Sequence, residues 1–454
     1  MINKSILRLL TALFLTSLLL SACTKWEDHN AITDPNVGKN LFQRIQENPD
    51  LSKFAELLTK SGYDKIIASS QTFTVFAPTN AALNSLDPAI AADAAKLKLF
   101  VGNHITNQLQ PSITSGQVRL QMMSGKYNNL QNGKFDDASI TLADQYAKNG
   151  YLHVINKMVP VLSNAWSFLQ SDPLMPLKQK NLLLALVDTT GSNTFLRNVL
   201  DLRDEQKQFT FFVLVDTAWD SEVSKYKPYF VTGTTDSTTM LASNAVASDL
   251  AIEGVYQASS LPDTIFSKFN TKIGIDKNAI VQSIKVSNSI VHVMSKLPVL
   301  PRHKFKQYLI QGENYDFSRV DRRNVTYFRD KVNPNTGVDF RDVLVFNHDV
   351  AQFFLGYRLR NVPSLKFKAY WVALHDNINN NTATFRQMLG IGTPFATTLP
   401  YIVVQPNNFN EVYLGEFTLS SFRPFLDIHL TADNSTNDDA NKITVDYIRL
   451  EPVL

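Results

Sequence analysis

The chain has 454 residues, with 44 lysines and arginines against 41 aspartates and glutamates, for a formal net charge of +3. So even a balance argues against a nucleic-acid partner, and a single cysteine rules out an intrachain disulfide. Hydrophobic residues make up 44% of the chain, enough for folded cores, and the length suits about three domains of ordinary size.

At the N-terminus Lys4 and Arg8 flank the start of an apolar run, Ile6 to Leu20, which leads into Leu20-Ser21-Ala22-Cys23. The run is shorter than the roughly 20 residues of a membrane-spanning helix, and small residues precede the cysteine where cleavage needs them. Residues 1–22 therefore read as a lipoprotein signal peptide and not as a transmembrane anchor. The thiol of Cys23 is then the nucleophile for lipidation, and several acyl chains, each burying about 0.8 kcal/mol per methylene, make the anchor effectively permanent. Loss of residues 1–22 removes Lys4 and Arg8 and no acid, leaving +1. Residues 23–38 lack periodicity and contain Pro35 and Gly38, as a flexible tether does. Lys25, Glu27 and Asp28 resemble the export tag of surface lipoproteins in polysaccharide-scavenging Gram-negative bacteria. That resemblance implies an outer-membrane protein facing the cell exterior; an ordinary soluble tether is the alternative.

An internal repeat follows. Phe73-Thr74-Val75-Phe76-Ala77-Pro78-Thr79-Asn80 is echoed by Phe209-Thr210-Phe211-Phe212-Val213-Leu214-Val215-Asp216, and Leu152-His153-Val154-Ile155 by Val291-His292-Val293-Met294. The offsets are 136 and 139 residues, which implies a duplicated domain. Each copy mixes helical and strand periods, the pattern of an α/β unit. In the first, Asp50 is expected to cap a helix carrying Leu51, Phe54, Leu57 and Leu58, with Gly62 as its stop. In the second, Ser192 or Asn193 precedes Phe195, Leu196, Val199 and Leu200 in the same way. Asn80 and Asp216 each stand at a helix start, where their side chains can accept from unpaired helix amides.

The segments 73–80 and 149–157 resemble the two signatures of the fasciclin domain, a strand T-V-F-A-P-T-N and a strand N-G-x-x-H-V-I-D. Residues 39–163 are read as a fasciclin-like domain, and residues 177–300 as a diverged second copy with Leu214 and Val215 in place of Pro78 and Thr79. In that second copy Glu253 to Tyr256 is expected to replace the neighbourhood of Asn103-His104. The resemblance implies an α/β fold used for adhesion and binding more than for catalysis. Because Asn103 precedes His104, the Tyr-His pair linked to integrin recognition in animal relatives does not carry over.

Past Leu297-Pro298-Val299-Leu300-Pro301 the pattern changes to short alternating runs. Leu365, Phe367, Ala369, Trp371 and Ala373 alternate with Lys366, Lys368, Tyr370 and Val372, and Leu426, Ile428 and Leu430 with Asp427 and His429, so each run has one face in a core. Residues 305–454 are expected to form an all-β jelly-roll sandwich, and the ending Val412 to Phe417 and Ile443 to Pro452 resembles the closing strands of galactose-binding-like domains, which often bind sugars through loops at one end.

No G-x-S-x-G elbow, H-E-x-x-H, phosphate-cradling loop or EF-hand is present, which lowers the case for an enzyme. His153, His292 and His104, with apolar neighbours, are most simply hydrogen-bonded core residues. Asp433, Asp438 and Asp439 gather hard oxygens as calcium prefers, although a solvated turn is the commoner meaning of such a run. Aromatic faces stack on pyranose rings, and Tyr327, Tyr357, Tyr370, Trp371 and Tyr401 form the candidate pool. Tyr370 and Trp371 point oppositely, so only one of them is core. The expectation is a non-catalytic surface lipoprotein that binds glycans beside a TonB-dependent transporter and its substrate-binding lipoprotein. Its rivals are an adhesin acting through the fasciclin units and a hydrolase with a dispersed site.

Overall fold

A computed structural model describes residues 38–173, 175–376, 384–393 and 397–454. Cys23, the signal peptide and the tether up to residue 37 lie outside the described residues. Among the described residues no helix is long and apolar enough to cross a membrane. The chain divides into two compact units, one ending at Asn164 and including Asp204–Lys207, the other formed by Ala165–Arg203 and Gln208–Leu454.

In the first unit a mixed seven-stranded sheet is built around the strand Phe73–Pro78, buried along its whole length and paired in parallel with Gly150–Ile155. A strand buried on both faces reads as a continuous apolar run, which is why these two segments were prominent in the sequence. Helices Leu41–Gln46, Ser52–Ser61, Tyr63–Ile67 and Ala94–Gly102 cover the sheet, placing Phe54, Leu58, Phe100 and Val101 against Phe73 and Val75 in one core. Gly62 ends the helix Ser52–Ser61 in the left-handed conformation, φ +79°, as its position predicts. Asp50 is not the cap: Asn48 accepts from the Asp50 amide to begin a 3₁₀ turn at Pro49–Leu51.

In the second unit the strand Phe209–Leu214 pairs in parallel with Ser289–Met294 at the heart of a four-stranded sheet. His153 lies opposite Phe76 and His292 opposite Phe212, so the sequence offsets of 136 and 139 residues become one strand register used twice. Three further ties recur. Thr74 donates to the Gln108 carbonyl and accepts from the Gln110 amide, as Thr210 does with Gly254 and Tyr256. Buried Asn149 accepts from the Leu41 amide and donates to Ile67, as Asn288 accepts from Ala165 and donates to Leu202. Asn80 accepts from the Lys53 amide and Asp216 from the Lys178 amide.

These pairings correct the helix assignment. Asn80 and Asp216 cap neighbouring helices, Ser52–Ser61 and Leu177–Ala185, and not the ones they begin. The helix Thr194–Asn198, capped by Asn193, is therefore not the partner of Ser52–Ser61. Leu250, whose carbonyl accepts from Phe212 as that of His104 accepts from Phe76, holds the place expected of Glu253 to Tyr256. A surface of small local patterns did not distinguish adjacent helices; long-range hydrogen bonds do.

The strands of the C-terminal part pair antiparallel, with an isolated parallel bridge between His375 and Pro406. One four-stranded sheet runs Tyr308–Gln311, Tyr447–Val453, Lys366–Val372, Val412–Thr418; a larger one is centred on Phe354–Val362, Arg423–Ala432 and Phe385–Ile391; a third holds Thr326–Val332, Asp339–Val345 and Ile443–Val445. Their inner faces share one core that includes Phe367, Trp371, Leu389, Ile428 and Ile448. Buried Gln387 joins two of the sheets, donating to the Thr444 carbonyl and accepting from its amide at 2.8 and 3.0 Å.

This part is not independent of the α/β part before it. Ser364 donates to the Pro228 carbonyl at 2.9 Å and accepts from the Val231 amide at 3.0 Å, Phe422 N–H reaches the Val231 carbonyl, and Phe305 packs against Tyr226, Tyr229 and Phe230.

Candidate functional site

Duplication makes the histidines conspicuous. His153 is fully buried; its Nε2 donates to the Gln110 carbonyl at 3.0 Å and its Nδ1 accepts from the Asp144 amide at 3.1 Å. His292 repeats this with the Tyr256 carbonyl at 2.9 Å and the Ser283 hydroxyl at 2.8 Å. Both nitrogens of each ring are used, and burial holds each pKa below the ordinary histidine value. A Ser283–His292 pair resembles a nucleophile and base, but the same nitrogen takes a backbone amide in the other copy, so the shared task is to tie a strand to a loop. His104 donates to the Phe100 carbonyl and accepts from the Val159 amide, and burial lowers its pKa to about 4.

The acidic run near residue 433 does not assemble into a cage. Asp433 gives its two oxygens to Arg386 at 2.8 and 3.0 Å, and Asp439 lies 3.8 Å from Lys442. Among the described residues no group of three His, Cys, Asp or Glu could hold a metal ion, and of the three candidate calcium ligands, Asp433, Asp438 and Asp439, the first and last face Arg386 and Lys442.

The aromatic pool is scattered. Trp371 is 1% exposed in the shared core, which corrects its place among ligand candidates: no sugar can reach it. Tyr357 is equally buried and donates to the Gly312 carbonyl. Tyr370 stands on the outer face as alternation requires, but Arg449 lies 4.1 Å over its ring centre and Tyr413 packs 5.4 Å away. Arg449 is itself fixed by Glu411 at 2.6 and 2.7 Å. The ring of Tyr401 lies under Arg386, and its hydroxyl donates to Ala432. Tyr327, 43% exposed, stacks on Phe346 at 5.0 Å on a separate hairpin.

A cleft of about 640 Å³ opens instead at one end of the β part, where Phe385–Ile391, Val412–Thr418 and Arg423–Ala432 reach their ends. Buried Phe417 and Leu426 form its floor. Thr393, Thr397, Thr418 and Ser420 offer exposed hydroxyls around the mouth. Gly392 turns the chain there with φ +77° and donates its N–H to the Asp427 carbonyl at 2.8 Å. Phe425 is 56% exposed on the wall even with the guanidinium carbons of Arg360 and Arg358 at 5.1 and 6.0 Å from its ring centre, and Arg423 and Asp427 lie on the same strand face. The Asp427 carboxylate is held by both arms of Arg358 at 2.7 and 2.9 Å, which keeps it below the usual carboxylate range. An apolar ring rimmed by hydroxyls and a fixed ion pair offers the two contacts a pyranose makes, a stacked face and bonded hydroxyls.

Sequence reading missed these residues for an identifiable reason. Phe425 shares the outward face of its strand with Asp427 and His429, and nothing local shows that the strand runs on past the end of its neighbour Phe385–Ile391 and leaves the ring exposed.

Residues 49–160 match the family model of the fasciclin domain. No curated protein sequence matches the chain. Among solved structures, a FAS1 domain pair from the insect cell adhesion molecule Fasciclin I is 19% identical over 57% of this chain and all of that chain, with a TM-score of 0.25. A CBM36-1 domain of a multidomain xylanase from the hindgut metagenome of Trinervitermes trinervoides is 15% identical over 33% of this chain and 98% of that one, with a TM-score of 0.23. A family 35 carbohydrate-binding module from Clostridium thermocellum is 16% identical over 32% and 98%, with a TM-score of 0.22. Residues 49–160 are thus a fasciclin domain, followed in this chain by a second α/β sheet of like register and an all-β part.

Proposed function

We propose that this chain is a non-catalytic, lipid-anchored surface protein whose all-β part, a galactose-binding-like jelly roll, binds glycans in the cleft around Phe425. The observation that carries the reading is the cleft itself: an exposed aromatic ring beside a fixed Arg358–Asp427 pair, ringed by four hydroxyls, at one end of the β sheets. Attachment through Cys23 would hold this site outside the cell, where an accessory role beside a TonB-dependent transporter and its substrate-binding lipoprotein follows. The fasciclin domain and its diverged copy then serve as the body that carries the site.

The test is binding of the whole chain to a broad panel of soluble polysaccharides by affinity electrophoresis, alongside Phe425→Ala. Retardation by at least one glycan, lost in the variant, is expected; an unretarded parent chain, or a variant retarded equally, ends the reading. For the anchor, Cys23→Ala should move the chain from the membrane to the soluble fraction.

An adhesive role for the fasciclin domain is a second reading, favoured by Ile113, 86% exposed, and Leu109, 56% exposed, on one loop of that domain. Ile113→Ser with Leu109→Ser should weaken cell attachment without touching glycan binding.

A further inference from the structure

Arg423 on the cleft wall, and Arg360 beside it on the neighbouring strand, are cations that a neutral sugar does not require. Arg360 lies across from Phe425 in strand register, its guanidinium carbon 5.1 Å from the ring centre. Arg423 precedes Phe425 by two residues on the same face, about 7 Å along the strand. Asp427 has committed its carboxylate to Arg358, and Asp316 accepts the Arg358 backbone N–H at 2.6 Å. Arg360 and Arg423 are both exposed, and neither has a hydrogen-bond or ion-pair partner among the described residues.

Two unpaired guanidinium forks bracketing an exposed ring present donors and no acceptors. Neutral hydroxyls are met by the rim threonines and serine, and the one carboxylate among the cleft-lining residues, Asp427, is already paired with Arg358, whereas a free guanidinium fork matches the two oxygens of a carboxylate or sulfate. From this we infer that the ligand is an anionic glycan, stacked on Phe425 with its acidic groups on Arg360 and Arg423. The inference rests on the glycan reading above and specifies the ligand class for that same cleft.

The test is titration of the whole chain in detergent with four probes: oligogalacturonate and its methyl ester, and dextran sulfate and dextran. The acidic member of at least one pair is expected to bind about ten-fold or more tightly than its neutral counterpart. The advantage should shrink as salt rises and disappear in Arg360→Ala/Arg423→Ala, which changes only exposed side chains. The first pair reports carboxylate and the second sulfate, so the source of the charge is distinguished. Phe425→Ala should lose acidic and neutral probes together. Equal binding of acidic and neutral members overturns the anionic inference and leaves the glycan reading standing. Acidic binding that survives the double arginine substitution overturns it too, because the charge is then read elsewhere. Failure of all four probes, when the polysaccharide panel above is bound, rejects the anionic class; failure of panel and probes alike rejects the glycan reading itself.

Discussion

His104, His153 and His292 are each buried with both nitrogens hydrogen-bonded, and burial is the largest cause of their lowered pKa values. A histidine held neutral in the fold but free to take a proton when unfolded stabilises the protein fully above its unfolded pKa. That stability is lost as pH falls from about 6.5 towards 4, by up to about 3 kcal/mol for His104. Denaturant midpoints of the unit that contains His104 should therefore drop between pH 7 and 4.5, and an unchanged midpoint would contradict the assignment. Asp446 gives the opposite sign. Burial, with Asp342 and Glu313 nearby, pushes its pKa up to about 6, so its ionisation opposes folding as pH rises from about 4 through 6. Asp446→Asn should then stabilise by about 1 to 2 kcal/mol at pH 7.5, allowing for screening by nearby water, and by nothing at pH 4. A variant no more stable than its parent at pH 7.5 would show that the carboxylate has a partner when charged.

Between elements, one short motif is used twice to join a strand end to a helix start. Because Asn80 and Asp216 accept from Lys53 and Lys178, Asn80→Ala and Asp216→Ala should each cost about 1 kcal/mol, seen in separate unfolding transitions of the two units. If both changes shifted the same transition, the two caps would not belong to separate units. Gly150 is a stricter case: φ is +149° and an added Cβ would lie 1.7 Å from the Phe73 carbonyl oxygen. Gly150→Ala should cost on the order of 3 kcal/mol or more, because the clash is with backbone inside the central parallel pair. Circular dichroism melts of parent and variant decide this. The role of Gly150 was legible from the sequence only as part of a signature; that it prevents a collision between paired strands is a tertiary fact.

Taken whole, the second unit should unfold as one cooperative block. Phe305, Tyr229 and Phe230 join its α/β and β parts, and Ser364 and Phe422 bond across to backbone atoms of 228–231. Calorimetry on residues 165–454 should show a single transition, and removing 165–300 should leave the β part markedly less stable, by exposing these rings. Two resolved transitions would separate the parts. The amino-acid order by itself determined the repeat and the change to alternating strands at about residue 300, because periodicity and a duplicated run of apolar residues are local properties that burial in a sheet makes obligatory. Only the tertiary structure decided that Trp371 is core, that Arg449 covers Tyr370, that the helices of the two copies pair as they do, and that Phe425 stands exposed beside Arg360 and Arg423. Those outcomes depend on which segments distant in sequence lie against each side chain, and alternation along one strand fixes the face a residue takes but not what covers that face.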